Sequence, residues 1–192
     1  AVINILLALR HRDRTGEGCW IDVAMGENLL PFLYWALGTS NALGQWPRSG
    51  GETVTGGSPR YNIYRTRDDR FIAAAPLEEK FWQNFVTLID LPEALRDDRI
   101  DAAATREGIA RRIASETAEH WAKVFEGQDV CCSLVCSLEE AMQDPHWAAR
   151  STFARKQRVG GKEIPALPSI LAKALRGDGP VNAAPELGNR AL

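Results

Sequence analysis

The sequence has little excess charge of either sign. Its 192 residues carry 23 Lys+Arg against 25 Asp+Glu, a formal net charge of −2. Such a balance favours neither a nucleic-acid backbone nor an anionic membrane surface. Long apolar runs are missing too: none reaches the roughly 20 residues that a bilayer span requires. The sequence opens on no basic segment leading into a cleavable apolar stretch, so no secretory signal is expected. Cysteine is scarce. Cys19, Cys131, Cys132 and Cys136 do not make a disulfide-scaffold pattern, and a domain of this length needs none. Cytoplasmic, reducing surroundings are the expectation. There is no Gly-x4-Gly-Lys-Ser/Thr, and no Gly-x-Gly-x-x-Gly follows a strand, so neither common phosphate-cradling loop is present. Internal repeats and low-complexity tracts are also absent.

What is there is globular in character, 45% hydrophobic and 25% charged. The length fits one large domain or two small ones. Residues 1–11, within "AVINILLALRHR", read as a helix apolar almost all round, suited to burial under a sheet. It carries no capping residue, which gives the expectation that the natural chain begins earlier. "CWIDVAM" (19–25) reads as a short strand after a charged, Gly-containing turn. "ENLLPFLYWALGTSNAL" (27–43) reads as a second helix, with Pro31 in its first turn. A Gly-rich stretch over 44–57 is expected to be a linker or mobile loop.

The middle of the chain is patterned as α+β. "YNIYRT", "RDDR" and "FIAAAP" (61–76) spell strand, turn and strand. A helix is expected from about Glu78 to Leu88, with Phe81, Phe85 and Leu88 on one face and Trp82, Val86 and Ile89 beside it. "TREGIARRIASE" and "TAEHWAKVFEG" are further amphipathic helices, the second with Thr117 as N-cap and Gly127 just past its end. "VCCSLVC" (130–136) reads as a buried strand. Ser137 and Glu140 form a capping-box pair, and Asp144-Pro145 ends that helix. A second hairpin is expected around Gly160 and Gly161. Beyond Arg176 the chain is Gly-, Pro- and Ala-rich and is expected to be extended.

Few residues carry chemistry. Glu78 and Glu79 follow the "FIAAAP" strand at once. Acidic residues favour helix N-termini because free amides and the macrodipole stabilise negative charge there. A general acid or base could occupy the same junction. A helix N-terminus lowers a carboxylate's pKa, however, whereas a base near neutral pH needs it raised, so burial would have to outweigh the dipole. Asp22 is read as a backbone hydrogen-bonding residue of its strand. On an extended "CCSLVC", Cys132 and Cys136 would share one face and Cys131 the other. With His120 and His146 loosely placed and no second cysteine pair, no metal site is expected. A nucleophilic Cys–His pair has no local signature. The six tryptophans and the other aromatics mostly fall at core spacings and are read as packing, not as a ligand cage.

"RTGEGCWIDVAM", "GGSPRYNIYRTRDDRFIAAAPLEEKFW", "FEGQDVCCSLVCSLEEAMQDPH" and a closing "APELG" resemble, in order and spacing, the family III CoA-transferases. That family includes carnitine CoA-transferase, formyl-CoA transferase and α-methylacyl-CoA racemase. The resemblance implies an α/β fold: the C-terminal segment of a large Rossmann-like domain, a smaller α+β domain and an extended return segment. On that map residues 1–43 close the large domain, 44–55 are a Gly-rich linker, 56–150 form the small α+β domain, and 151–192 are a hairpin and return segment. It also implies a coenzyme A thioester as substrate, no permanently bound cofactor, and an interlocked homodimer.

The catalytic aspartate of the transferases, and the Asp/His pair of the racemases, lie upstream of the part matching residues 1–12. Asp22 and His11 do not match them, so this chain alone is expected to be inactive. A separate possibility is a non-catalytic assembly domain that pairs with an N-terminal chain. The resemblance places Glu78 at the position of a racemase glutamate that supports the acid–base site. Tyr61 matches a tyrosine near that pocket, and Gly56 and Gly57 match the loop over the active site. "GGSP" with Tyr-x-x-Tyr is nearer the racemase pattern than the longer glycine run of formyl-CoA transferases. "CCSLVC" departs from the family by lacking a proline.

Overall fold

The computed structural model describes residues 1–175 and Ala183. The expectation for the chain beyond Arg176 therefore lies outside the described residues, Ala183 apart.

The core is built on an antiparallel sheet of β1 (Asn62–Arg65), β2 (Phe71–Ala74) and β3 (Cys132–Leu134), in the order β1-β2-β3. The β1–β2 hairpin closes in register, Asn62 opposite Ala74 and Arg65 opposite Phe71. Alternation puts Tyr64, Ile72 and Ala74 inward, as a period of 2 requires. Against them pack α4 (Glu79–Leu88), α5 (Ala102–Ala114) and α6 (Ala118–Phe125). Trp82, Phe85 and Val86 of α4, with Ile89 just past its end, are wholly buried. Burial of side chains of this size stabilises by roughly 1.5–3 kcal/mol each before entropy is counted.

The buried polar atoms are satisfied. The Trp82 indole donates to the Arg96 carbonyl and the Trp121 indole to the Ile113 carbonyl, both at 2.8 Å. The Tyr64 hydroxyl donates to the Pro59 carbonyl at 2.6 Å. Among the described residues no buried side-chain nitrogen or oxygen lacks a partner, as native packing demands.

The caps follow the sequence reading. Thr117 accepts from the His120 amide. Ser137 and Glu140 exchange both bonds of a capping box at the start of α7 (Leu138–Gln143). Asp144 ends that helix and caps α8 (Pro145–Ala149), with Pro145 at the first helical position. A second sheet pairs β4 (Lys156–Val159) with β5 (Lys162–Pro165) around Gly160 and Gly161. The chain is thus mixed α/β with two small antiparallel sheets.

Expectations fail in three regions of the chain. First, α1 (Val2–Thr15) is helical but has no buried residue; Ile3 is 73% exposed. No described element covers its apolar side chains. Second, residues 19–25 form no strand; they lead without sheet partners into α2 (Met25–Leu29), and Asp22 is exposed there. A β-rich run needs a neighbour for its amides and carbonyls, and none is at hand. The single helix expected over 27–43 is broken as well: a 3-10 turn, Leu30–Leu33, separates α2 from α3 (Tyr34–Leu43). Pro31 lacks the amide that an α-helix would use there. Third, β3 is an edge strand of three residues, half-buried rather than buried, and Cys136 lies outside it and is exposed.

Candidate functional site

The register brings three chain segments to one end of the first sheet. Asn62 and Cys132 both lie opposite Ala74. That end is therefore where β1 begins, β2 finishes and β3 begins. Gly56, Gly57 and Tyr61 feed into β1 there, Glu78 follows β2, and Cys131 precedes β3. The Ala75 amide donates to the Cys131 carbonyl at 3.0 Å, extending the ladder to this edge.

The loop before β1 is built for close backbone approach. Gly56 has φ 104 and ψ 0, a conformation that side-chain-bearing residues rarely adopt. Its carbonyl accepts from the Asn62 amide group at 3.1 Å and the Arg106 guanidinium at 3.3 Å. A Cβ on Gly57 would fall 2.1 Å from the Gly51 carbonyl oxygen, so only glycine fits. The Gly57 amide donates to the Glu52 carbonyl at 3.0 Å. The stretch expected as a linker thus carries a closed turn, Thr53–Gly57, held by its own hydrogen bonds. Tyr61 is 38% exposed and begins its strand from a turn, its amide donating to Ser58.

The two glutamates differ in what holds them. Glu78 is the N-cap residue of α4, with extended backbone (φ −75, ψ 145), yet its side chain makes no cap hydrogen bond. Among the described residues its exposed carboxylate has no hydrogen-bond or ion-pair partner. Glu79, one residue on, is engaged twice. Its Oε1 accepts from Gln83 at 2.6 Å and its Oε2 from Arg60 at 2.9 Å. Those two bonds, Gln83 first, hold the Glu79 carboxyl below the usual range. The helix start therefore consumes Glu79 and leaves Glu78 available.

Sequence reasoning missed three neighbours. Arg60, next to Tyr61, forks onto Asp98 with Nε at 3.1 and 3.0 Å and a terminal nitrogen at 2.8 Å. Both side chains are largely shielded, 14% and 13% exposed. The guanidinium lies over the Trp82 ring at 4.6 Å. Burial alone would lower the Arg60 pKa; the bonds to Asp98 and Glu79 outweigh it and leave it raised. Cys131 is the third. It sits at φ 49 without being glycine, an uncommon conformation. Its thiol is pushed up first by desolvation and then by the carboxylates of Glu78 and Asp129. Asp98 carried no readable signal, being 38 residues from Arg60.

Among the described residues no group of three or more His, Cys, Asp or Glu side chains could hold a metal. His120 and His146 instead lie edge-on against their neighbours Trp121 and Trp147. No helix of the described residues is long and apolar enough to cross a membrane.

Comparison with known proteins places the chain in a family. The family described as "CoA-transferase family III" matches residues 1–191. The α-methylacyl-CoA racemase of Homo sapiens is 30% identical over 173 residues, 86% of this chain and 44% of that protein. The acetyl-CoA:oxalate CoA-transferase of Acetobacter aceti is 27% identical, over 86% of this chain and 43% of its own. The crystal structure of a CAIB/BAIF family protein from Brucella suis superposes with a TM-score of 0.66 at 20% identity, covering 89% of this chain and 46% of that one. The chain thus spans under half the length of the relatives it matches.

Proposed function

The chain belongs to CoA-transferase family III, and on that premise we propose that it forms part of an acyl-CoA-handling enzyme. The reaction is α-proton transfer on a 2-methylacyl-CoA, or CoA transfer between carboxylic acids. The observation that carries the reading is the sheet end itself. Glu78, Tyr61 and a glycine loop that tolerates no side chain converge there, and the Glu78 carboxylate is left unengaged.

The chemistry accounts for the arrangement. Moving a proton α to a thioester needs a base on one face, an acid on the other, and donors for the enolate oxygen. Glu78 is exposed at a helix start and is a weak choice for the base itself. It serves as the carboxylate that orients an acid–base residue supplied by the part of the enzyme corresponding to the rest of the relatives. Tyr61 stands at the same sheet end, and the loop at Gly56 and Gly57 would close over the thioester. Residues 1–43 would belong to a large Rossmann-like domain, 44–55 to a linker, 56–150 to the small domain and 151–192 to a return segment, with two chains interlocked. Taken alone, the 192 residues would turn over no acyl-CoA.

A second reading rests on a different observation. The apolar side chains of α1 to α3 and of the 3-10 turn between α2 and α3 are exposed, Phe32 of that turn by 78% and Leu29 by 65%. Surface of this kind marks an interaction site. On this reading the chain is an assembly domain pairing with a separate N-terminal chain and performs no catalysis itself. Assaying racemisation and CoA transfer by the protein at its natural length separates the two. Turnover abolished by a Glu78 substitution favours the first; a folded, inactive partner-binding chain favours the second.

A further inference from the structure

We propose that Arg60, braced by Asp98, is a positioning residue that sets Glu78 and Tyr61 relative to one another. The inference rests on the acyl-CoA reading of that site. Three observations carry it. One guanidinium nitrogen of Arg60 contacts both neighbours of Glu78 in the chain: it reaches the Leu77 carbonyl at 3.4 Å and the Glu79 carboxylate at 2.9 Å. Arg60 is itself the residue before Tyr61, so the clamp spans the entry to β1 and the entry to α4. The guanidinium is fixed on its other edge by the fork to Asp98 and on its face by Trp82, a wholly buried side chain.

The physical need is clear. Glu78 has no side-chain bond of its own to hold it. Its direction depends on the backbone around residues 77–79, and Arg60 is what pins that backbone to the entry of β1, where Tyr61 sits. Site residues must be held by supporting contacts to within a fraction of an ångström, and misplacement by about 1 Å can cost on the order of 100-fold in rate. Lysine would not substitute. A compact ammonium keeps a charge for Glu79, but it loses the planar fork and the ring contact.

The test uses the protein at its natural length with a 2-methylacyl-CoA substrate, comparing Arg60→Gln, Arg60→Lys, Asp98→Asn and the double variant Arg60→Gln/Asp98→Asn. Arg60→Gln is expected to lower kcat by about 10- to 100-fold with KM within about threefold, and Arg60→Lys to restore little of it. The double variant leaves no shielded carboxylate unpaired, so it should regain most of the Tm lost in Arg60→Gln while kcat stays low. A purely structural role would make kcat follow Tm across the set and would overturn the proposal. NMR of the Glu78 and Tyr61 backbone amides supplies a readout independent of turnover. Shifts and line-broadening at both positions in Arg60→Gln are expected, and unchanged signals would overturn the clamp. If the wild-type protein turns over no acyl-CoA, the acyl-CoA reading fails, and the NMR comparison still decides whether Arg60 fixes the two segments.

Discussion

The Ala118 amide donates to the Asp68 carboxylate at 3.0 Å, joining the β1–β2 turn to the first turn of α6 across 50 residues of chain. The same oxygen accepts from the Thr66 hydroxyl at 2.6 Å. One carboxylate thus shapes a hairpin turn and satisfies a helix N-terminal amide, where negative charge is favoured. The Thr66 bond, then the Ala118 amide, hold the Asp68 pKa below its ordinary 3.8.

A depressed carboxylate pKa stabilises the fold fully above the unfolded value, and that stability is lost as pH falls through the folded one. Asp68→Asn should therefore lower Tm at pH 7, with the gap to wild type closing as pH drops below about 3.8. Thermal melts over a pH series check this. A gap that is constant across the series would show that the charge contributes nothing.

Gly57→Ala should open the loop. The added Cβ meets the Gly51 carbonyl oxygen at 2.1 Å, so backbone must shift, at a cost of roughly 1–3 kcal/mol. Hydrogen exchange should accelerate at the Gly57 amide, which donates to Glu52, while the sheet stays protected. Exchange at wild-type rates would contradict the closed turn.

Trp82→Ala should cost about 3–5 kcal/mol, the range for truncating a buried aromatic side chain. Trp82 is wholly buried and its indole satisfies the Arg96 carbonyl. Denaturant melts check the magnitude. A loss under about 1 kcal/mol would mean that this side chain is not at the centre of the core.

The isolated 192-residue chain should self-associate through α1 to α3. Their exposed leucines, isoleucines and aromatics form an apolar surface with no described cover, and such surfaces seek partners. Sedimentation velocity over a concentration series is the check. A strictly monomeric species at high concentration would count against it.

The legible parts of this fold were those governed by local rules. The β1–β2 hairpin, the Ser137–Glu140 box, the Thr117 cap and the Gly160-Gly161 turn are each written within a few residues. In residues 1–43 the helical segments were legible, but the expected burial of the first and the strand at 19–25 were not realised, because an apolar segment becomes a buried helix or a strand only when a partner is present. The periodicity of "CWIDVAM" states a preference that unpaired backbone cannot realise. At the candidate site the split between Glu78 and Glu79 came from the resemblance, and spacing alone could not give it. Arg60, Asp98 and Cys131 were out of reach: the Arg60–Asp98 bond spans 38 residues, and the left-handed φ of Cys131 has no signature in a non-glycine residue.

The central claim is that Glu78 belongs to the active site of an acyl-CoA-handling enzyme. The most direct measurement is exchange of the α-proton of a 2-methylacyl-CoA in deuterated water, together with CoA transfer to carboxylate acceptors, by the natural-length protein and its Glu78→Gln variant. Wild-type turnover that falls by about 100-fold or more in the variant at unchanged Tm is the expected result. Equal turnover by both proteins, or none by wild type with any acyl-CoA, would contradict it.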